Sequence, residues 1–390
     1  MRIAIFTNNY LPIVSGVTRS IEEYQRKLEN QGHKVYIFAP KYSGYLDKEQ
    51  SVFRYPAVNV KYKVSYPLAI RQAGTKKAER KLREFCPEII HSQHPTVLGS
   101  EALKFSKKLR IPIIFTYHTL YEEYVHYIPL IPGWALRRAV SAQALRYCNK
   151  CDGVIAPTGE IKKMLMGKGA SVPIEVIPSG IEIEKFRIGD RKKIRNLYNI
   201  QDHEILLLCV SRLAKEKNLG LLLKAFRKLS LKIDTVKLML VGGGHAADSL
   251  KKIAAELGVS RKTIFPGLID LDEIQDYYLA GDIFAYSSMT ETQGMIVAEA
   301  MAAGLPVVAV DATGSRDVVI DGKTGYLTEN SVSDFSKKIE DLIEDGELRK
   351  KFSKAALAES EKYDVGVSTK NLLEFYEKTI RNSFKNIVKK

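Results

Sequence analysis

The chain has only four cysteines in 390 residues, and a single tryptophan. Cys86, Cys148, Cys151 and Cys209 are too few and too scattered for a disulfide framework. Cys148-Asn149-Lys150-Cys151 has the spacing of a redox pair or half a zinc site, but no second pair completes it. It also falls where a helical stretch meets an apolar strand, an ordinary packing position. No stretch approaches the roughly 20 consecutive apolar residues that span a bilayer. The opening MRIAIFTNNYLP has an apolar core of only four residues, far short of a secretory signal. Low-complexity tracts and short tandem repeats are missing too. The chain reads as soluble and cytoplasmic.

What remains is an ordinary globular mixture, 45% hydrophobic and 27% charged, with enough material for two cores. The net charge of +15 is unevenly spread. Residues 1–180 carry 27 basic and 14 acidic side chains, and residues 181–390 carry 33 and 31. Such asymmetry points to a polyanionic partner for the first half: nucleic acid, an anionic membrane or a phosphorylated substrate.

The first half alternates β-rich runs with helical patterns. RIAIF (2–6), KVYIFAP (34–40), EIIHSQ (88–93), IPIIFTYH (111–118) and DGVIAPT (152–158) read as strands. Helices are expected near 17–31, 98–109 and 134–148. Strand, helix, strand without hairpin signals means parallel βαβ units. Around VIPSGIEIEKF (176–186) the pattern breaks, and a second series starts at EILLLCVSRL (204–213). It continues through KLMLVGGG, TIFPG, DIFAYSS and LPVVAV, and the last segment, 366–387, is helical. The reading is α/β: two Rossmann-like parallel-sheet domains facing a cleft, with a ligand at the carboxyl ends of the strands. The boundaries are 1–180 plus 366–390, and 181–365.

The strongest chemical signal is TETQGMIVAEAMAAGLPVVA (290–309). Glu291 lies in a loop after a strand and Glu299 in the second turn of a helix that Gly294 opens. Carboxylates suit vicinal hydroxyls of a ribose or hexose, while Gly294, Met295 and Ile296 offer free backbone N–H groups. The small residues AEAMAAG argue for close packing rather than a solvated surface helix. In SRLAKEKN (211–218), Arg212 and Lys217 stand at a strand-to-helix passage, where two cations can neutralise a diphosphate. VGGG (241–244) lacks both the dinucleotide-binding fingerprint and the Gly-Lys-Ser/Thr of a P-loop. In NNYLPIVSGVTRSI (8–21), Gly16 leaves room for an anionic group against helix N–H donors. His118 follows an apolar strand and so points toward the cleft.

Glu291, Glu299, Arg212, Lys217, Gly16, His118 and the IPSGIE linker together resemble the retaining GT-B glycosyltransferases of the glycogen synthase/phosphatidylinositol mannosyltransferase type. The resemblance runs along nearly the whole chain. It implies a nucleotide-sugar donor held mainly by the C-terminal domain, and a final helix that crosses back to the first. Glu299 would bind the donor ribose, Glu291 the hexose hydroxyls, and the N–H groups of Gly294 to Ile296 the sugar. Arg212, Lys217 and the Gly16 backbone would hold the diphosphate, with His118 near the reacting carbon. No metal or other cofactor is implied: the two cations would do that charge work, and a suitable Asp-x-Asp is missing. Where the family usually reads Glu-Gly-Phe-Gly, this chain has Glu291-Thr292-Gln293-Gly294, which leaves the role of Gln293 open. That variant, with TYHTLYEEYVHYIP and the NNYLPIVSGV opening, is similar to the bacterial 1,2-diacylglycerol 3-glucosyltransferases.

A lipid acceptor has independent support. Residues 127–147 hold Trp134 and continue as a helix with apolar Leu136, Val140 and Ala144 and basic Arg137, Arg138 and Arg146. This is what an interfacial anchor requires. KKAERKLREF adds Lys76, Lys77, Arg80, Lys81 and Arg83, with Arg71 nearby. The blander alternative is a domain helix that buries Trp134 and leaves the arginines in water. Three classes compete: a glucosyltransferase using UDP-glucose on diacylglycerol at an anionic phospholipid surface, peripheral on the inner face of the cell membrane; a glycosyltransferase with another acceptor; and a nucleic-acid-binding protein. The last lacks an RNP-type aromatic signature, a helix-turn-helix pattern and zinc-finger spacing, so no nucleic-acid partner is expected.

Overall fold

The computed structural model describes residues 1–13, 15–47, 50–62, 64–122 and 133–388. Three segments named above lie partly outside these residues: Val14 in the opening loop, 123–129 of TYHTLYEEYVHYIP, and 127–132 ahead of Trp134. The chain divides into two units, Met1–Gly180 with Val365–Lys390, and Ile181–Asp364. Among the described residues no helix is long and apolar enough to cross a membrane.

The first unit is built on β1 (Arg2–Phe6), β2 (Lys34–Pro40), β3 (Val52–Tyr55), a hairpin of β4 (Ala57–Tyr62) and β5 (Val64–Ala69), then β6 (Ile89–Ser92), β7 (Ile113–Thr116), β8 (Gly153–Ala156) and β9 (Ile174–Val176). Seven of these form a parallel sheet in the order β3-β2-β1-β6-β7-β8-β9. Its central strands are buried throughout, which is why they read as continuous apolar runs. The final helix, Val365–Val388, belongs to this unit: Leu372, Phe375 and Tyr376 share a core with Ile3, Ile37, Ile114 and Ile155.

The hairpin corrects the expectation of parallel units alone. β4 and β5 pair antiparallel as a separate two-stranded sheet. AVNVKYKVSYPLA alternates with period two, as a half-exposed strand pair should, but lacks the Asn-Gly or Asp-Gly that announces a tight turn.

The second unit contains β10 (Ile205–Val210), β11 (Val236–Val241), β12 (Thr263–Gly267), β13 (Ile283–Tyr286), β14 (Val307–Val310) and β15 (Gly325–Thr328). They form one parallel sheet in the order β12-β11-β10-β13-β14-β15. The strand order of each sheet reverses once, between β1 and β6 and between β10 and β13. At such a switch point the loops at the strands' carboxyl ends diverge and leave a crevice. Both units are therefore α/β and Rossmann-like.

Candidate functional site

In the second unit the switch point brings Lys217 and Glu291 together. Lys217 ends a short 3-10 turn after β10, and Glu291 stands in the loop after β13. Lys217 Nζ donates to Glu291 Oε1 as an ion pair. The same oxygen accepts from Tyr286 Oη at 2.5 Å and Ser288 Oγ at 3.1 Å. Ser287 Oγ donates to the Lys217 carbonyl at 2.9 Å. Burial alone would raise the Glu291 carboxyl, but the Lys217 ammonium and the two hydroxyl donors hold it below the ordinary carboxylate range. The sequence assigned the two residues to different parts of a ligand. The fold couples them, because a buried ammonium without an anion beside it recruits the nearest carboxylate.

Glu299, in the helix Met295–Ala302, is only 1% exposed and accepts from Tyr278 Oη at 2.7 Å. It is no solvated surface glutamate. Gly294 precedes that helix with φ +74°, and a Cβ there would come 2.9 Å from the Gly314 carbonyl. Only glycine lets the loops after β13 and β14 press together so closely. The N–H groups of Gly294, Met295 and Ile296 fall at the helix start, where no intrahelical acceptor exists. Beside them, the buried hydroxyls of Thr290 and Ser315 have no hydrogen-bond partner among the described residues.

The VGGG turn has a structural task. A Cβ at Gly242 would lie 2.0 Å from the Ser211 carbonyl, so the close approach is to the chain's own backbone around Arg212. Arg212 itself is exposed and pairs with Glu216. Cys148 and Cys151 are buried free thiols, and burial pushes Cys148 up to about 12. Among the described residues no three His, Cys, Asp or Glu side chains converge as a metal would need.

In the first unit the switch point carries a neutral network. Asn8, after β1, donates its backbone N–H to His94 Nδ1 at 3.1 Å and its side-chain amide to Thr96 O at 3.0 Å. Its Oδ1 accepts from the Leu98 N–H at 3.0 Å, beside Val97, whose φ of 52° is strained for a β-branched residue. His118, after β7, donates through Nε2 to Gln93 Oε1 at 2.6 Å. Burial, with His94 and His91 close by, pushes His118 down to about 3. His91 bridges Tyr376 Oη and Thr116 Oγ1 at 2.7 Å each, and burial lowers it to about 3 as well. Gly16 opens the helix Gly16–Asn30 and is exposed, with Ser15 Oγ capping the Thr18 N–H at 3.2 Å.

The basic and aromatic residues assigned to a membrane face are distributed as follows. Lys76, Lys77, Arg80, Lys81 and Arg83 lie on the helix Arg71–Phe85. Arg80 and Lys81 pair with Glu84 and Arg83 with Glu79, while Lys76 and Lys77 have no carboxylate partner among the described residues. On the helix Gly133–Cys148, Trp134 is 75% exposed, and Arg137, Arg138 and Arg146 are exposed. Leu136 and Val140 are half-buried and Ala144 is buried, so the apolar stripe is at least partly turned inward. Tyr147 anchors the helix end, 2.8 Å from Ser92 Oγ.

Tyr286, Ser288, Tyr278, Asn8 and Gln93 were not picked out from sequence. For Tyr286, Ser288, Asn8 and Gln93 the only signal was proximity to strand ends, where hydroxyls and amides are common for many reasons; Tyr278, inside the helix Ile274–Ala280, gave none.

Comparison with known proteins agrees with this arrangement. Residues 190–358 match the family described as Glycosyl transferases group 1, and residues 14–185 match Glycosyltransferase Family 4. A Streptococcus pneumoniae protein named alpha-monoglucosyldiacylglycerol synthase is 35% identical over 84% of this chain and 75% of its own. An Acholeplasma laidlawii protein of the same name is 28% identical over the full length of both. Among solved structures, Anabaena HepE in complex with UDP-glucose aligns with a TM-score of 0.79 at 20% identity, covering 97% of this chain and 100% of that one.

Proposed function

Because the chain belongs to the group 1 glycosyltransferases of GT-B fold, we propose that it moves a glucosyl residue from UDP-glucose to diacylglycerol at an anionic membrane surface, retaining the anomeric configuration and using no metal. The observation that carries this reading is the buried Lys217–Glu291 pair at the switch point of the second unit. A donor diphosphate offers Lys217 a second anion, and Glu291, released from the ammonium, gains lone pairs for hexose hydroxyls. Glu299 takes the ribose hydroxyls, and the first-turn N–H groups of Gly294, Met295 and Ile296 meet the sugar.

Arg212 joins Lys217 as the bond from the anomeric carbon to the diphosphate breaks. Charge then builds on the departing phosphate, and fixed cations stabilise it most at that moment. The acceptor hydroxyl oxygen bonds to the same face of the anomeric carbon, and its proton passes to the departing phosphate oxygen. His118, neutral and with Nε2–H committed to Gln93, presents Nδ1 as a lone-pair acceptor for a sugar hydroxyl. Retention is supported by the relatives' names, which specify an alpha product; from an α-linked nucleotide sugar such a product keeps the configuration. Trp134 with Arg137, Arg138 and Arg146, and Lys76 and Lys77, supply contacts for an anionic lipid surface.

The test incubates the pure protein and EDTA with UDP-[¹⁴C]glucose and liposomes of diacylglycerol and anionic phospholipid. Label should enter the lipid phase, and should fall away when either diacylglycerol or the anionic lipid is left out. Release of UDP only on adding soluble sugars would overturn the lipid acceptor, and dependence on added metal would overturn the metal-free step.

A further inference from the structure

At the open end of the β4–β5 hairpin three aliphatic side chains, Val58, Leu68 and Ile70, are exposed. Along AVNVKYKVSYPLAI, every even-numbered position from 58 to 70 is aliphatic or aromatic, while the odd positions include Asn59, Lys61 and Lys63. In the antiparallel register Val58 stands directly opposite Leu68. Alternation on the second strand is complete at its end: Pro67 and Ala69 are buried, and Leu68 and Ile70 are exposed. Val58 is 49% exposed, Leu68 42% and Ile70 37%. A strand pair with one solvated face normally turns its polar side outward, so a cluster of exposed aliphatic side chains at this end of the hairpin calls for a partner.

The charge around it identifies the partner's chemistry. Ile70 leads directly into the helix Arg71–Phe85, whose exposed Lys76 and Lys77 lack carboxylate partners among the described residues. The unit carrying both elements has 33 basic and 16 acidic residues. Apolar side chains beside uncompensated lysines match a surface that is greasy beneath an anionic layer. We propose that the β4–β5 hairpin seats the first unit on an anionic bilayer, with Val58, Leu68 and Ile70 entering the headgroup layer and the following helix lying over it. This rests on the lipid-acceptor reading only for its purpose.

The test uses the full chain and phosphatidylcholine vesicles with and without phosphatidylglycerol. Wild type should partition onto the anionic vesicles, and Val58→Ser/Leu68→Ser should bind roughly tenfold more weakly or worse, with an unchanged melting temperature. A second variant, Val58→Trp with Trp134→Phe, should show a blue-shifted emission that bromine-labelled lipid quenches, and it decides the matter if the double serine variant fails to fold. Equal partition of wild type and the serine variant, or an introduced indole that lipid does not quench, would overturn the proposal. So would a wild-type dimer in sedimentation velocity that the serine variant abolishes, since a second copy would then cover this face. Partition is read without donor or acceptor, so it can fail while glucosyl transfer in detergent micelles stands, and the reverse.

Discussion

The two units share one topology and differ in how they hold buried polarity. Each sheet is parallel with a single switch point, and each gathers polar side chains there. In the second unit that polarity is ionic, Lys217 against Glu291 with hydroxyl donors around them. In the first it is neutral: histidines whose charge burial suppresses, joined to amides and hydroxyls. Their surfaces differ in the opposite sense. The first unit has 33 basic residues to 16 acidic, and the second 27 to 29. The net positive charge thus lies on the unit we assign to the membrane, and the switch-point ion pair in the unit we assign to the donor diphosphate. The fold supplies the crevice, and residue type decides what the crevice can bind.

The ionic side of the comparison breaks most readily at Lys217. Lys217→Met leaves Glu291 buried without its cation and should destabilise the second unit by about 3–5 kcal/mol. Adding Glu291→Gln should restore most of that stability, while neither variant transfers glucose. Urea unfolding followed by hydrogen exchange, read separately for each unit, checks this; a Lys217→Met protein as stable as wild type would show that the pair carries no structural role.

Acid should separate the units next. His91 titrates near 6.5 when unfolded and about 3 when folded, so only the unfolded chain takes up its proton as pH falls below 6.5. That amounts to roughly 2 kcal/mol lost at pH 5 for this histidine, with His94 and His118 acting in the same direction. The second unit's lowered carboxylates, Glu291 among them, contribute stability that is fully present above about 4.5 and is lost only below it. Between pH 7 and 5 the first unit should therefore weaken while the second does not. Uniform loss across both would refute the division.

A smaller effect is expected at Tyr278. Tyr278→Phe removes the hydroxyl that donates to Glu299 and should cost about 1–3 kcal/mol. A rise in donor KM larger than the fall in kcat would tie Glu299 to donor binding rather than to turnover. Smallest in stability is Arg212→Ala. The exposed pair with Glu216 should be worth under about 1 kcal/mol, yet transfer should slow by more than tenfold if Arg212 acts on the leaving diphosphate. A variant with full kcat would remove it from that role.

Much of this was legible beforehand. Apolar runs of four to seven residues, separated by helical periods, were enough for two parallel sheets, because a strand buried on both faces has no polar side to show. Glu291, Lys217 and His118 were legible as residues just beyond strand ends, where parallel sheets place their ligands. The hairpin was written as period-two alternation, yet it went unread because its turn lacks glycine or asparagine and short alternation competes with other readings.

What the sequence by itself determined was therefore local: which segments are buried strands, which are helices, and which loops hold chemistry. Only the tertiary structure decided the pairings. Lys217 meets Glu291 across 74 positions, and His91 meets Tyr376 across 285. Such contacts depend on strand order and on which groups end up sharing a dry interior. There an unpaired charge is costly enough to select its neighbour, and neither condition exists until the sheets have formed.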